Sequence, residues 1–249
     1  IGLEAAATAR KFGVDVTLVE IEERILKRVA AKETSDYIRS LHISNGVNIK
    51  EAVGLGKLKI ANDKVLSASL TDGSDINVDF VIVGIGITPN TELAEGANLK
   101  INNGILINDK CQTSVSNIYA AGDCTSFEYK DTLVRLESVG NAIDQATIVA
   151  QNIMKQNTNY IPKPWFWSDQ YDLKLQIAGL NTGYDDVVVR KGKNKQISHW
   201  YFKGQSLLAV DALNDPRCYM IGKRLIEENK SPSKNQLRDE NFNLKVLLK

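Results

Sequence analysis

The sequence predicts an α/β fold in which Rossmann-like domains are followed by a smaller α+β C-terminal domain. Residues 1–12 form an Ala-rich helical segment, and the apolar strand that follows it ends in an acid at Glu20. A second apolar strand, Ile118–Ala121, runs directly into Gly122-Asp123. Beyond Pro162 the chain changes to aromatic and β-branched runs of strand length, which is typical of an antiparallel sheet.

Composition limits the classes of function. With 249 residues the chain is long enough for one or two domains with a buried core. The formal net charge of +1 gives no bulk signal for nucleic-acid binding, and no apolar run reaches the roughly eighteen residues that a membrane span needs. Three scattered cysteines without a C-x-x-C pair predict reduced thiols in a cytoplasmic protein.

The opening segment has the order helix, glycine, strand, acid, which is the second half of a βαβ dinucleotide-binding unit. Gly2 would be the third glycine of a G-x-G-x-x-G fingerprint, and it stands eighteen residues before Glu20. The Glu20 carboxylate would then accept hydrogen bonds from ribose hydroxyls, with a solvated strand end as the alternative. The first strand and the first two glycines of this unit are missing, and the family resemblance described below implies that the natural chain extends upstream.

The residues after Glu20 indicate which coenzyme is used. Glu22 and Glu23 lie where a 2′-phosphate would have to sit, and no arginine follows Glu20 directly. Carboxylates in that place would repel the extra phosphate of NADPH. The sequence therefore predicts NADH.

The next part of the chain predicts a helix, a small meander and a buried strand. Apolar spacing indicates a helix over 33–45, and turn signals at Asn62-Asp63 and Asp72-Gly73 indicate short antiparallel strands. The continuous apolar run at 80–86 predicts a buried parallel strand. Since the carboxyl ends of such strands face the ligand crevice, Gly86 would lie near a nicotinamide; a plain turn glycine is the alternative.

The central stretch carries a second nucleotide site. A hairpin is predicted over 98–108, and the strand Ile118–Ala121 then delivers Gly122-Asp123. Gly122 allows close backbone approach, and the Asp123 carboxylate can accept hydrogen bonds from ribityl or ribose hydroxyls. A helix that begins near 137–139 would offer free N–H groups and its positive dipole end.

The C-terminal region is predicted as an antiparallel sheet backed by a helix over 215–229. Trp165 and Trp167 would share one side of a strand, a placement more typical of a core than of a cofactor site. The further strands are expected at 173–178, 186–190, 197–202 and 206–210.

Four motifs carry a resemblance to a known family. The chain opens with IGLE and continues with IYAAGD, RLESVGNAIDQA and PWFWSDQYDLKLQIAGL. Together they resemble the bacterial NADH-dependent, FAD-containing ferredoxin reductases, of the putidaredoxin and rubredoxin reductase type, within the pyridine nucleotide-disulfide oxidoreductase superfamily. The resemblance covers nearly the whole chain. It implies electron flow from NADH through FAD to a [2Fe-2S] ferredoxin that serves an oxygenase or P450.

The resemblance also implies domains and site residues. It implies an NAD-binding domain over 1–90 that lacks its first strand, the second half of an FAD-binding domain over 91–160, and a C-terminal reductase domain over 161–249. Asp123 would hold the FAD ribityl or pyrophosphate, and Trp167 would lie beside the isoalloxazine. The other implied cofactor-binding residues are Ile1, Gly2 and Glu4 of the IGLE motif; Arg24 at the adenine or a phosphate, or in a surface salt bridge; Glu137 at the nicotinamide side, or as a first-turn acid; Ser138 at the helix start; and Val139, whose backbone would face the flavin pyrimidine edge. Hydride transfer needs no side-chain acid or base, so no catalytic residue and no metal site are expected.

Two other activities and an incomplete site stay open. Disulfide reductases of this superfamily carry a C-terminal His-Pro…Glu pair, whereas His42 and His199 do not precede a proline and are expected to do no chemistry. Apoptosis-inducing-factor-like flavoproteins share the fold, but WFWSDQYD and Glu20 favour a working reductase. Without the first half of an FAD domain, the isolated chain is expected to bind little flavin.

A ferredoxin partner requires a docking face. An acidic ferredoxin would need a basic docking face, and the candidates lie in one short segment that could equally be a solvated turn: Arg190, Lys191, Lys193 and Lys195. The oligomeric state leaves no trace in the sequence.

Overall fold

The computed structural model describes residues 1–248 and divides them into two compact units. The first unit combines Ile1–Ile85 with the chain from Trp167 onwards, and the second is Gly86–Phe166. Both units are mixtures of helices and strands.

The first unit opens with the predicted helix, strand and helix. Helix α1 spans Gly2–Lys11 and strand β1 spans Val16–Glu20. Helix α2 spans Lys32–Ser44 and is followed by strand β2, Val47–Glu51, which pairs parallel with β1. Because α1 ends just before Gly13, whose φ of +76° suits glycine, the chain turns sharply into β1. The predictions for 1–12, for the strand ending at Glu20 and for 33–45 are confirmed.

The predicted meander is also present in this unit. Strands β3 (Leu55–Ala61), β4 (Lys64–Leu70) and β5 (Asp75–Asn77) form a three-stranded antiparallel sheet. Asn62 and Asp63 have φ values of 51° and 58°, as a tight two-residue hairpin turn requires.

The prediction of a buried strand at 80–86 is wrong. This segment has no strand geometry, and its apolar side chains are largely exposed, with Phe80 at 57% and Ile85 at 84%. A strand forms only where a neighbour supplies hydrogen bonds, and within residues 1–248 the parallel sheet of this unit contains β1 and β2 alone. Gly84 lies instead against the start of α1, where a Cβ would stand 3.3 Å from the Gly2 nitrogen.

The C-terminal part of the first unit is the predicted sheet with its helix. Antiparallel pairing joins the strands in the order β11-β12-β13-β10, with β9 next to β10. Helix α5, Pro216–Glu227, is capped by Asp215 and packs its apolar face on the sheet around Trp200 and Val210. Helix α6 (Lys234–Arg238) and the 3₁₀ helix Leu244–Leu248 complete the chain. The strand bounds are β9 Trp165–Gln170, β10 Leu173–Gly179, β11 Asp186–Lys191, β12 Ile197–Lys203 and β13 Ser206–Leu213.

The second unit is smaller and has short strands. Strands β6, β7 and β8 form one sheet, in which β6 and β7 are parallel. The predicted helix start at 137–139 is confirmed, because α4 begins at Val139 behind its cap Ser138. The bounds are α3 Glu92–Gly96, β6 Ile105–Leu106, β7 Thr125–Tyr129, β8 Thr132–Val134 and α4 Val139–Ile153.

Two strand predictions in this unit are corrected. The strand Ile118–Ala121 is wrong, because only Tyr119 makes a bridge, to Gln112, while β7 after Asp123 takes the place beside β6. The hairpin over 98–108 is reduced to one antiparallel bridge between Ile101 and Ile105. In both cases a strand-like sequence lacks a full hydrogen-bonding neighbour among the described residues.

Residues 1–248 contain neither a candidate membrane span nor a candidate metal cluster. None of the helices there is long and apolar enough to cross a membrane. The same residues contain no cluster of three or more side chains suited to hold a metal ion.

Candidate functional site

Helix α1 begins at Gly2, directly after Ile1. Ile1, at the N-cap, makes no side-chain capping hydrogen bond, and the Ala5 nitrogen donates to the Ile1 carbonyl at 2.9 Å. The amides of the first helical residues, including Gly2, lack acceptors within the helix, and the positive end of a helix dipole favours an anion. Gly2 and Gly84 lie in contact, so the backbones approach closely here without an intervening side chain.

Glu4, in this first turn, is held by the C-terminal sheet. The Ser168 hydroxyl donates to Glu4 Oε1 at 2.7 Å, and Ser168 lies next to Trp167 on β9. Trp167 is 45% exposed. The structure therefore brings Ile1, Gly2, Glu4 and the strand that carries Trp167 to one place.

Glu20 occupies the carboxyl end of β1, as predicted for a ribose-binding acid. Its Oε1 accepts a hydrogen bond from the Glu22 nitrogen at 3.0 Å. Lys27 Nζ lies 3.2 Å from Glu22 Oε2 and 3.6 Å from Glu23 Oε1, and the hydrogen bond that Lys27 donates to Glu22 raises the pKa of Lys27. Glu22 and Glu23 are thus partly neutralised, and their repulsion of a 2′-phosphate is weaker than the sequence suggests.

Arg24 folds back onto its own loop. Its guanidinium donates to the Ala30 carbonyl at 2.9 Å and to the Ser35 hydroxyl. These partners are neutral, so the surface salt bridge expected as an alternative does not describe it. The side chain orders the connection between β1 and α2, just beyond Glu20.

In the second unit, the loop at Gly122-Asp123 is hydrogen-bonded to helix α4. The Gly122 amide donates to Gln145 Oε1 at 2.7 Å, and the Thr125 hydroxyl lies 2.9 Å from the same oxygen. Gly122 has a φ of +91°, a conformation that favours glycine. Sequence reasoning missed Gln145; its signal was the pair of polar residues, Asn141 and Gln145, one turn apart on the buried face of α4.

Arg135, which sequence reasoning also missed, joins Asp123 to Glu137. Its Nη1 lies 2.5 Å from Glu137 Oε1 and donates to the Asp123 carbonyl at 3.4 Å. The Asp123 side chain is exposed, and its carboxylate has no hydrogen bond to any of residues 1–248. The carboxylate is therefore open to accept hydrogen bonds from a ligand.

The start of α4 is fixed from several sides. Ser138 Oγ accepts a hydrogen bond from the Asn141 nitrogen at 3.3 Å, and Asn141 is held in turn by the Leu136 carbonyl and the Tyr160 hydroxyl. The amides of Val139 and the next residue lack acceptors within the helix, and the Val139 side chain is 57% exposed. The geometry presents backbone N–H groups beside Asp123's loop.

Gly86 is not brought into this group. It has a φ of +108° and open space around its Cβ position, as a turn glycine does. Its positive φ favours glycine, and its predicted place near a nicotinamide stays a prediction.

Comparison with known proteins identifies the family. Residues 1–146 match the pyridine nucleotide-disulphide oxidoreductase family, and residues 165–248 match the reductase C-terminal family. The chain belongs to the pyridine nucleotide-disulphide oxidoreductase family. This oxidoreductase family uses FAD and NAD(P)H. The predicted α/β fold with a smaller α+β C-terminal domain and the resemblance to ferredoxin reductases are confirmed.

Individual members are similar over the whole chain. Rhodocoxin reductase of Rhodococcus erythropolis is 39% identical over 251 residues and putidaredoxin reductase of Pseudomonas putida 39% over 253, each covering 100% of this chain. Among solved structures, the covalent putidaredoxin reductase–putidaredoxin complex has a TM-score of 0.95 at 39% identity, covering 100% of this chain. The chain spans 59% and 60% of the lengths of the two reductases and 61% of the matched structure.

The residues present fit the flavin that the family uses. In the second unit an exposed carboxylate, a glycine in the left-handed region and a helix N-terminus meet at Asp123, Gly122 and Val139. Gln145 Nε2 is buried without a hydrogen-bond partner, which is an unusual cost in a folded protein and points to a partner of another origin.

Proposed function

We propose that the whole protein is an NADH-dependent, FAD-containing ferredoxin reductase. It passes electrons from NADH through FAD to a [2Fe-2S] ferredoxin, which serves an oxygenase or P450. The observation that carries this proposal is the 39% identity with rhodocoxin and putidaredoxin reductases over the full chain, including the region of the C-terminal reductase match.

The proposed division of labour follows the predicted domains. Residues 1–90 contribute to the NAD site, 91–160 to the FAD site, and 161–249 form the reductase C-terminal domain. In this scheme Glu20 accepts hydrogen bonds from the adenosine ribose hydroxyls, and Asp123 accepts them from ribityl hydroxyls of FAD. The sparse, unpaired cysteines support a cytoplasmic setting.

The side chains of this protein bind and orient rather than react. FAD, when bound, supplies the two-electron to one-electron conversion that links a nicotinamide to an iron–sulfur protein. The amides at the start of α4 form a helix N-terminus, which would favour the negative charge of a reduced flavin. Trp167, on β9, is 45% exposed and would lie beside the isoalloxazine, as the family resemblance implies. Neither buried histidine has the exposure that an acid–base role requires.

The choice of NADH rests on Glu20. Its carboxylate ends β1, where a 2′-hydroxyl would donate and a 2′-phosphate would be repelled. Since Lys27 partly neutralises Glu22 and Glu23, Glu20 is the residue that discriminates.

The ferredoxin is proposed to dock on exposed lysines. Lys191, Lys193 and Lys195 are exposed around the turn between β11 and β12. Arg190 does not belong to this surface, because it is buried and bonded to backbone carbonyls of residues 236–242. The expected basic cluster is therefore reduced to its three lysines.

A disulfide reductase has no observation in its favour. His42 and His199 are buried and hydrogen-bonded, and neither precedes a proline. Structural neighbours outside the ferredoxin reductases, such as a persulfide reductase at 21% identity, show the shared fold alone.

The proposal is tested on the protein expressed from its complete reading frame and reconstituted with FAD. We expect NADH-dependent reduction of a [2Fe-2S] ferredoxin and no reduction of glutathione disulfide or lipoamide. Turnover of a disulfide with no ferredoxin reduction would replace the proposal with the disulfide reductase.

A further inference from the structure

A chain of four hydrogen bonds leads from the interior of the first unit to Glu4. Tyr171 OH lies 3.3 Å from His42 Nδ1, and His42 Nε2 lies 2.7 Å from Gln170 Oε1. Gln170 Nε2 donates to Ser168 Oγ at 2.9 Å, and the Ser168 hydroxyl donates to Glu4 Oε1 at 2.7 Å. We call these five residues the Glu4 relay.

The direction of every bond in the relay is determined by its ends. The Glu4 carboxylate can only accept, so Ser168 must donate to it and must itself accept from Gln170. The Gln170 oxygen then accepts from His42 Nε2–H, which leaves Nδ1 as the acceptor for the Tyr171 hydroxyl. The relay therefore requires His42 in its neutral Nε2–H form, and burial lowers the pKa of His42 in agreement.

One end of the relay is buried in the first unit. His42 is fully buried on α2, and Gln170 is 2% exposed on β9. The other end of the relay is accessible to solvent, because the Glu4 side chain, in the first turn of α1, is 40% exposed. A buried amide and imidazole thus hold an accessible carboxylate in one orientation, beside the helix end that faces the dinucleotide in the proposed function.

We propose that Ser168 and Gln170 are positioning residues that orient the Glu4 carboxylate as an acceptor for an N–H or O–H donor of the bound nicotinamide dinucleotide. Glu4 Oε2 lies 3.3 Å from the Ile1 nitrogen, and Oε1 is fixed by Ser168, so lone pairs on both oxygens are left to face a ligand. The inference rests on the proposed function, since it assumes that a nicotinamide nucleotide binds at α1.

The test is a calorimetric titration of the full-length, FAD-loaded protein with NAD⁺, which needs no turnover. Ser168→Ala should raise the Kd about tenfold, because a hydrogen bond to a charged group is lost. Ser168→Thr keeps the hydroxyl and should restore binding to within about twofold of the natural protein. Asp169→Asn, the exposed neighbour on the opposite face of β9, is the matched control and should also stay within about twofold.

Two further variants separate positioning from general damage. Gln170→Glu keeps the size and the acceptor for His42 but competes with Glu4 for the Ser168 proton, so it should weaken NAD⁺ binding like Ser168→Ala. In a Glu4→Gln background, Ser168→Ala should cause less than about a twofold further loss, because Ser168 acts through the carboxylate.

The outcomes are distinguishable. If the natural protein fails to bind NAD⁺, the proposed function itself falls. If it binds NAD⁺ but Ser168→Ala behaves like Asp169→Asn, or costs the same tenfold in the Glu4→Gln background, the relay inference is overturned and the proposed function stands.

Discussion

Gln145 fixes the loop at Gly122 through a single side-chain oxygen. That oxygen accepts from the Gly122 amide at 2.7 Å and lies 2.9 Å from the Thr125 hydroxyl, all in the buried interior of the second unit. The sequence identified Gly122-Asp123 but not the residue that holds it, because the spacing of Asn141 and Gln145 on α4 does not say which loop their side chains contact.

Replacing Gln145 should therefore destabilise the second unit. Gln145→Leu leaves the buried Gly122 amide unpaired, which should lower the free energy of unfolding by about 2 kcal/mol. Urea denaturation followed by circular dichroism measures this. The control is Gln156→Leu, an exposed glutamine just beyond the same helix, which should change stability by less than about 0.5 kcal/mol. Equal stability of Gln145→Leu and the control would show that Gln145 does not hold the loop at Gly122.

Helix α2 meets the C-terminal sheet through a buried cluster of polar groups. Thr34 Oγ1 donates to Asp211 Oδ2 at 2.7 Å and accepts from His199 Nδ1 at 2.7 Å. The Tyr201 hydroxyl donates to the same Asp211 oxygen and accepts from the Ala31 amide. Burial lowers the pKa of His199 to about 4 and raises that of Asp211 to about 6.

These two shifts act in opposite directions on stability. His199 is buried neutral, so its contribution is present above its ordinary pKa of 6.5 and is lost as the pH falls towards 4, by roughly 3 kcal/mol. Asp211 has a raised pKa, so the fold gains stability as the pH falls from about 6 towards 3.8, by a similar amount. Between pH 6 and 4 the two contributions largely cancel.

Single variants should expose the cancellation. Relative to the natural protein, His199→Gln should gain stability on acidification from pH 6 to 4, and Asp211→Asn should lose it. The free energy of unfolding in urea across this window provides the measurement. Parallel pH curves for both variants and the natural protein would show that neither group titrates with a shifted pKa.

Arg190 ties the end of the chain to the C-terminal sheet. Its guanidinium is buried on β11 and donates to carbonyls of Leu237, Asp239, Glu240 and Phe242 at 2.6 to 3.0 Å. Lysine cannot reproduce this fork of donors. Arg190→Lys should therefore lower the free energy of unfolding by about 2–3 kcal/mol and speed proteolysis of the last helices.

The neighbouring residue on the same strand supplies the control for Arg190. Lys191 points to the opposite, exposed face, and Lys191→Ala should leave proteolysis and unfolding nearly unchanged. If Arg190→Lys matched Lys191→Ala in both measurements, the guanidinium would not hold the tail.

The elements that the sequence predicted correctly are those whose partners lie nearby in the chain. Helices α1, α2 and α4, the meander and the C-terminal sheet satisfy their hydrogen bonds locally or through short connections. The runs at 80–86 and Ile118–Ala121 have equally strong strand composition, yet neither forms a strand among the described residues. Strand composition is local, whereas a strand also needs a neighbouring edge, which no residue pattern within the run reveals.

Part of each candidate site could be picked out from the sequence. Residues whose side-chain type and position suggest a ligand role, such as Glu20 and Asp123, were singled out from the sequence. The supporting side chains Gln145, Arg135 and Ser168 were not, because their roles depend on contacts between elements distant in sequence. His42, expected to do no chemistry, is hydrogen-bonded to Gln170 in the Glu4 relay.

At the scale of the whole molecule, the chain spans about three-fifths of its relatives and divides into two units. The relatives match it at 59–62% of their own length where they cover nearly all of it. One unit carries the α1 terminus, Glu4 and Glu20, and the other carries Gly122, Asp123 and the start of α4. The central claim is that these two groups of residues serve one electron path from NADH through FAD.

An anaerobic half-reaction tests that claim most directly. The full-length protein, loaded with FAD, is mixed with one equivalent of NADH or NADPH in a stopped-flow spectrometer, and an oxidised [2Fe-2S] ferredoxin is added afterwards. We predict that NADH bleaches the visible flavin band, that NADPH does so at least about tenfold more slowly, and that the ferredoxin restores the band as it is reduced. A flavin that NADH leaves oxidised, or a reduced flavin that the ferredoxin cannot reoxidise, would contradict the account.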